Sequence, residues 1–171
     1  MDLMDFDQAG LYFDEPVPET VQALIAEAGG TYGDPSAEAL LHKAYFIAPE
    51  ALVVLVALYR YYFYKHRLED ALIVADRTLR IVGARLGFPA EWTRLHPEFL
   101  GQAVLRSMGL LRFYLSVLKA TGYINMRLGR MAQGRAQIEK LIELDSHDRF
   151  GGKALLDVVV SAVAERIAET A

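Results

Sequence analysis

Cysteine is absent from the sequence. Disulfide frameworks, thiolate catalysis and cysteine-held zinc or iron–sulfur sites are therefore excluded. Long apolar runs are absent too. The most apolar stretch, ALVVLVAL at residues 51–58, lies between Glu50 and Arg60 and falls far short of the ~20 residues that a membrane-spanning helix needs. We expect a chain that does not bind membranes and that buries this stretch in a core.

Basic residues are nearly absent from the first 50 positions, which contain ten acidic residues against Lys43 alone. The remaining positions contain 17 basic and 12 acidic residues, an excess too small and too dispersed to indicate nucleic-acid binding. An acidic N-terminus without an apolar run lacks the features of a secretory signal. We expect a cytoplasmic protein with a flexible acidic segment over residues 1–17.

Motifs for common chemistries are also missing. The sequence contains no GxSxG, HExxH or GxGxxG, and GGK at residues 151–153 lacks the upstream glycine and the downstream Ser or Thr of a phosphate loop. Glu38 and His42 stand one helical turn apart, a spacing that suits a metal site or a solvated helix face, but no second Glu–His pair completes a di-iron set. We expect no catalytic site, no metal and no cofactor, and hence no enzyme.

Helical periodicity dominates what is present. The 171 residues fit one domain, and prolines open most apolar-periodic runs, where a missing N–H costs nothing. YRYYFYKH at residues 59–66 is the main strand candidate by propensity, but its flanks have helical spacing. We predict an all-α fold. The expected helices cover residues 18–28, 35–48, 49–65, 68–86, 89–95, 97–128, 131–144 and 152–169, with 97–128 either continuous or broken near Gly109.

A set of positions, most of them occupied by small residues, recurs with a period of about 34 residues, the length of a tetratricopeptide repeat. The corresponding positions are Ala37, Leu41, Ala44 and Pro49 in one set, and Ala71, Ala75, Thr78 and Gly83 in the next. A later stretch, GYINMRLGRMAQGRAQIEKLIELD at residues 122–145, is similar to such a repeat throughout. The chain therefore resembles the tetratricopeptide family, although Tyr59 occupies a place where the family has glycine or alanine.

The resemblance implies a superhelix of helix-turn-helix units in a single domain over residues 18–171. The units would cover residues 18–51, 52–85 and 115–148, with an insertion that supplies a long helix at 86–114 and a capping helix at 149–171. The size and the few repeats are also similar to bacterial type III secretion chaperones, which would make this a bacterial protein. An irregular helical bundle is the alternative.

In tetratricopeptide proteins the first helix of each pair lines a concave groove that holds a peptide. The resemblance places one partner-binding set of residues in that groove: Val56, Arg60, Phe63, Tyr64, Lys119, Tyr123, Met126 and Arg127. We expect a non-enzymatic adaptor, scaffold or chaperone that holds an acidic and apolar protein segment there. The alternative is a small-ligand-binding protein, or an enzyme, with a pocket inside the bundle.

The two ends of the chain suggest further contacts. The last helix is apolar on most of its circumference, which indicates either homodimerisation or burial under the long helix. The residues for self-association are Leu156, Val159, Val160 and Val163. The N-terminal LYFDEPVPE at residues 11–19 carries aromatic and acidic side chains that suit a basic aromatic groove, so this segment either folds onto the groove or stays disordered.

Overall fold

Seven α-helices make up the described part of the chain, without any strand. The computed structural model describes the backbone of residues 15–169 and the side chains of residues 15–161. The helices are α1 Glu19–Gly30, α2 Ser36–Ile47, α3 Leu52–Tyr64, α4 Leu68–Leu86, α5 Leu100–Arg127, α6 Met131–Leu144 and α7 Gly152–Glu169. The all-α prediction is confirmed.

The aromatic stretch YRYYFYKH lies in α3 and not in a strand. Leu55, Leu58, Tyr59 and Tyr62 are all buried in this helix, and spacings of three and four place them on one helical face. Because burying large side chains outweighs the modest helix propensity of aromatic residues, the stretch is helical up to Tyr64.

Three helices end with a residue in the left-handed conformation: His66 (φ 58°), Gly87 (φ 74°) and Gly129 (φ 80°). After each one, the next backbone N–H donates to a carbonyl five residues back, as in Arg67 N to Tyr62 O at 2.9 Å. This is the Schellman arrangement, in which glycine is the usual residue at the left-handed position. His66 adopts this conformation at a steric cost that glycine does not incur.

One prediction for the region between α4 and α5 is wrong: residues 89–95 do not form an α-helix. Residues 89–95 contain only a three-residue 3-10 turn, Trp92–Arg94, and a second one follows at Pro97–Phe99. Pro97 explains this ending, because proline disfavours helical geometry in the residue before it, and His96 is extended. Of the two alternatives for the long helix, the break near Gly109 agrees with the structure: helical geometry is interrupted within α5 at Ser107 (φ −166°, ψ 109°).

Packing follows the order of the chain. Helices α1 and α2, α3 and α4, and α5 and α6 form three closely packed pairs; α4 also packs on α5, and α7 on α6. The α5–α6 pair is held at its closest point by two glycines: a Cβ added at Gly134 would lie 2.6 Å from the Gly122 carbonyl oxygen. The two backbones therefore touch where the sequence has no side chains.

Candidate functional site: an aromatic–basic face on α3 and α5

One surface combines aromatic and basic side chains from two helices that are far apart in the sequence. It consists of Arg60, Phe63 and Tyr64 from α3, and Tyr123 and Arg127 from α5; we call it the aromatic–basic face. The rings of Phe63 and Tyr123 lie 6.4 Å apart between centroids, and those of Phe63 and Tyr64 lie 6.3 Å apart. The tetratricopeptide resemblance placed all five residues in one groove. Contacts connect Tyr64, Phe63, Tyr123 and Arg127, and Arg60 lines a cleft together with Tyr64.

Arg127 is held in place by its own helix. Its Nη1 donates a 2.8 Å hydrogen bond to the Tyr123 hydroxyl, and its guanidinium lies 5.7 Å from the centre of the same ring. Arg127 is nevertheless exposed, and its remaining N–H groups can bind a carboxylate. Because the side chain is already oriented, less rotamer entropy is lost when it binds a partner.

Tyr59 forms the floor of this face. Its ring stacks on Phe63 at 5.7 Å, and the side chain is 6% exposed. Burial, together with the neighbouring hydroxyls of Tyr123 and Tyr64, raises the pKa of the Tyr59 hydroxyl above its usual value. The floor is therefore neutral, and the positive charge of the face comes from its two arginines.

A cleft of about 290 Å³ extends the face from α3 toward α1, and both Arg60 and Tyr64 line it. Tyr61 packs edge-to-face on Tyr32 at 5.7 Å, and Lys65 Nζ lies 4.7 Å above the Tyr32 ring. Tyr61 thereby contacts the turn of the preceding helix pair. Tyr32 and Lys65 were not predicted, because nothing in the sequence shows that the α1–α2 turn reaches α3.

Three predicted groove residues have other positions. Val56 and Met126 are buried, at 7% and 8% exposure: Val56 borders an apolar cleft between α3, α4 and α5, and Met126 packs against Gly134. Lys119 is half-buried and donates from Nζ to the carbonyl of Phe150. These side chains stabilise the helix pairs and the connection before α7, so the exposed surface is smaller than the sequence suggested.

Glu38 and His42 belong to a polar network around Tyr62. The Tyr62 hydroxyl lies 2.7 Å from His42 Nε2 and donates to Glu38 Oε1 at 3.2 Å. Arg67 donates to the other oxygen of Glu38 at 2.8 Å and to Asp70 at 2.7 Å. Burial, followed by the negative charge of Glu38, raises the pKa of Tyr62 to about 12. The network ties α2, α3 and the start of α4 together.

The remaining ionisable residues give no sign of a metal centre. Among the residues described, no group of three or more His, Asp or Glu side chains is placed to hold a metal ion. His96 pairs with Glu143 at 3.4 Å, and His147 lies 3.1 Å from the Ser146 hydroxyl.

Within the described residues, no helix has the length and apolar character needed to span a membrane.

A second cleft, of about 390 Å³, lies beside α4 and was not predicted from the sequence. Asp76, Arg80, Trp92 and Tyr114 are among its lining residues. Burial raises the pKa of the Asp76 carboxyl, and the positive charge of nearby arginines opposes that shift only in part. No pattern marks Asp76 in the sequence, because most residues that line the cleft lie outside α4, in the irregular connection after it and on α5 and α6.

Some of the residues predicted to act at the two chain ends lie outside the described residues. In α7, Leu156 and Val159 are half-buried and Val160 is 51% exposed, whereas the side chain of Val163 is outside the described residues. Residues 1–14, most of the predicted N-terminal segment, are also outside them. Self-association through α7 remains a prediction.

Comparison with known proteins gives one strong relationship. No family model and no solved structure matches the chain. The sequence is 47% identical over 165 residues to the "uncharacterized 19.8 kDa protein in nifW 5′ region" of Azotobacter chroococcum mcd 1, an alignment that covers 96% of this chain and 92% of the relative. The chain belongs to the same protein family as this Azotobacter protein.

Proposed function

We propose that the protein is a non-enzymatic adaptor that holds an acidic and apolar segment of a partner protein on the aromatic–basic face. Its helix pairs would stack in the manner of tetratricopeptide repeats, with α1, α3 and α5 lining the concave side. The contact between Gly122 and Gly134 supports repeat-like pairing of α5 with α6, since the repeat needs small residues where its two helices approach.

The observation that carries the proposal is the ring contact between Phe63 on α3 and Tyr123 on α5. Tyr64 and Arg127 are exposed beside this contact. Tyrosine and arginine dominate the binding energy of protein interfaces, because they combine a large contact area with directed hydrogen bonds. Tyr64 is 43% exposed, so it leaves apolar surface for a partner to cover. Acidic side chains of the partner would pair with the guanidinium groups.

Capture from the native host tests this proposal. The tagged chain would be compared with a Tyr64→Ala/Arg127→Ala variant, and bound proteins would be quantified by mass spectrometry. Hot-spot residues each contribute about 2 kcal/mol, so the specific partner should be depleted at least tenfold.

A matched control removes an aromatic residue and an arginine from the second helices of two pairs, Phe46→Ala in α2 and Arg135→Ala in α6. Phe46 is 89% exposed, and Arg135 pairs with Glu139 in the next turn of its helix. The control should retain the partner. Equal binding by both variants would reject the aromatic–basic face as the binding surface.

The cleft at Asp76 favours a second candidate, a small-ligand protein with a site inside the bundle. A half-buried carboxyl with a raised pKa in a cleft is typical of such sites. A thermal-shift screen of small cationic and polar metabolites addresses it directly. A compound that stabilises the native chain but not the Asp76→Asn variant would favour this candidate over the adaptor.

A further inference from the structure

Glu15, the first described residue, is held beside the start of α3 by two contacts. Glu15 accepts a hydrogen bond from the first backbone N–H of α3, Leu52 N, at 3.3 Å, and its other oxygen lies 3.0 Å from Arg85 Nη2. A carboxylate at this place is stabilised by the positive end of the helix dipole. Val17 packs against the core nearby. Residues 1–14 therefore connect to the body at the N-terminal end of α3, the helix that carries three of the five residues of the aromatic–basic face.

The preceding segment matches that face in chemistry. Its four charged residues, Asp2, Asp5, Asp7 and Asp14, are all acidic, and it contains no Lys or Arg. Its large apolar side chains include those of Phe6, Tyr12 and Phe13. An acidic segment with aromatic anchors is the class of ligand that a surface of tyrosine, phenylalanine and arginine recognises.

The distances also match. Helix α3 has 13 residues, so about 18 Å separates its two ends at 1.5 Å per residue. A flexible chain of 14 residues has a root-mean-square length of about 20 Å. A tether that matches its span gives an effective concentration in the mM range.

We propose that residues 1–14 bind the aromatic–basic face of their own chain and compete there with the partner. This inference rests on the proposed function for the identity of the face, and it adds regulation of that site. If the segment alone had a dissociation constant of about 0.1 mM, a mM effective concentration would leave about one molecule in ten open. The partner would then bind about tenfold more weakly than to an open chain.

The absence of cysteine allows a direct test on the full chain. A Gln8→Cys variant carries one nitroxide spin label, and paramagnetic broadening of amide signals is measured by NMR on isotope-labelled protein. The amide signals of Tyr64, Tyr123 and Arg127 should lose several-fold in intensity, while that of Ile73 on α4 should keep its intensity. Absence of broadening on α3 and α5, or equal broadening at Ile73, would overturn the inference.

Charge reversal gives the matched comparison. Asp5→Lys/Asp7→Lys should abolish the broadening and raise partner affinity about tenfold, whereas the same change at two exposed sites outside the segment, Glu91→Lys/Glu98→Lys, should leave both unchanged. Adding Arg60→Glu/Arg127→Glu to the segment reversal should restore the broadening. No restoration would mean that charge pairing with this face does not hold the segment, which overturns the inference.

Broadening can arise within one chain or between two chains. To separate the two cases, spin-labelled chains without isotopes are mixed with isotope-labelled chains that carry no spin label. Broadening in the mixture would show that the segment binds a second copy, contrary to the inference. The outcomes also separate the two proposals. If the segment is undocked but partner capture still requires Tyr64 and Arg127, only this inference fails. If the segment is docked but the captured proteins ignore those residues, only the proposed function fails.

Discussion

Adding one methyl group at Gly134 should destabilise the protein, although alanine is the better helix former. A Cβ at this position would lie 2.5 Å from Met126 Cγ, 2.6 Å from the Gly122 carbonyl oxygen and 2.9 Å from Met126 N. Ordinary contacts are about 3.5–4.0 Å, so α5 and α6 would have to separate by about 1 Å. Two of these three atoms belong to the backbone and cannot rotate away.

The magnitude follows from two opposing effects. Overpacking of a close contact costs about 1–3 kcal/mol, and this contact lies at the upper end because backbone atoms are involved. Replacing glycine by alanine inside a helix returns about 1 kcal/mol. We expect Gly134→Ala to lower the free energy of unfolding by about 2 kcal/mol, measured by urea unfolding followed by circular dichroism.

The same substitution at Gly101 is the control. This residue is exposed near the start of α5, and nothing lies within 4 Å of an added Cβ. Gly101→Ala should therefore stabilise the protein, by about 0.5 kcal/mol. If Gly134→Ala were as stable as the native chain, the close approach of α5 and α6 would be refuted.

Three further predictions concern single side chains. Glycine in place of His66 should raise the free energy of unfolding by about 0.5–1 kcal/mol, since glycine avoids the strain of the left-handed conformation; a loss of stability in urea unfolding would contradict this. Burial and Glu38 raise the pKa of Tyr62 to about 12, from a usual value near 10. Because the folded state holds the proton more tightly than the unfolded state, the free energy of unfolding should fall between about pH 10 and 12. Tyr62→Phe should decline less steeply in unfolding measurements across that range, and an unchanged decline would refute the argument. The Asn125 amide donates a 2.8 Å hydrogen bond to Gln137. Gln137→Leu removes this acceptor from a buried donor and should lower the free energy of unfolding by about 2 kcal/mol. In chemical unfolding, the Gln137→Leu/Asn125→Leu double variant should be more stable than this single variant.

The sequence predicts helices well where periodicity and end signals agree. The bounds of α4, α6 and α7 match the predicted ones, because apolar spacing outlines each helix and a glycine lies beside one end of each, at Gly87, Gly129 and Gly151. The helix predicted for residues 89–95 is wrong, since Pro89 at the start of a short apolar run is equally compatible with an irregular turn. The break at Ser107 lies two residues from Gly109, the obvious weak point in the sequence. Ser107 Oγ accepts a 3.1 Å hydrogen bond from the Leu110 N–H, as an N-cap residue does, so the second half of the helix begins at the serine.

The candidate site shows a different limit. The tetratricopeptide resemblance placed Phe63 and Tyr64 in one groove, and their rings do contact each other. It could not show that Val56 would be covered by α4 and α5. The bond between Tyr62 and Glu38 joins residues 24 positions apart, a distance that no local pattern reports. Contacts within one helix are therefore predictable from sequence, whereas burial by a neighbouring helix is not.

Photo-crosslinking in the native host tests most directly whether the aromatic–basic face holds a partner. A photoreactive phenylalanine analogue would replace Tyr64, and, in the control, Phe46 on α2. We predict that one partner protein is crosslinked from position 64, that Arg127→Ala reduces this product at least tenfold, and that position 46 gives no such product. The same products from both positions, or none from position 64, would contradict the adaptor function proposed for this face.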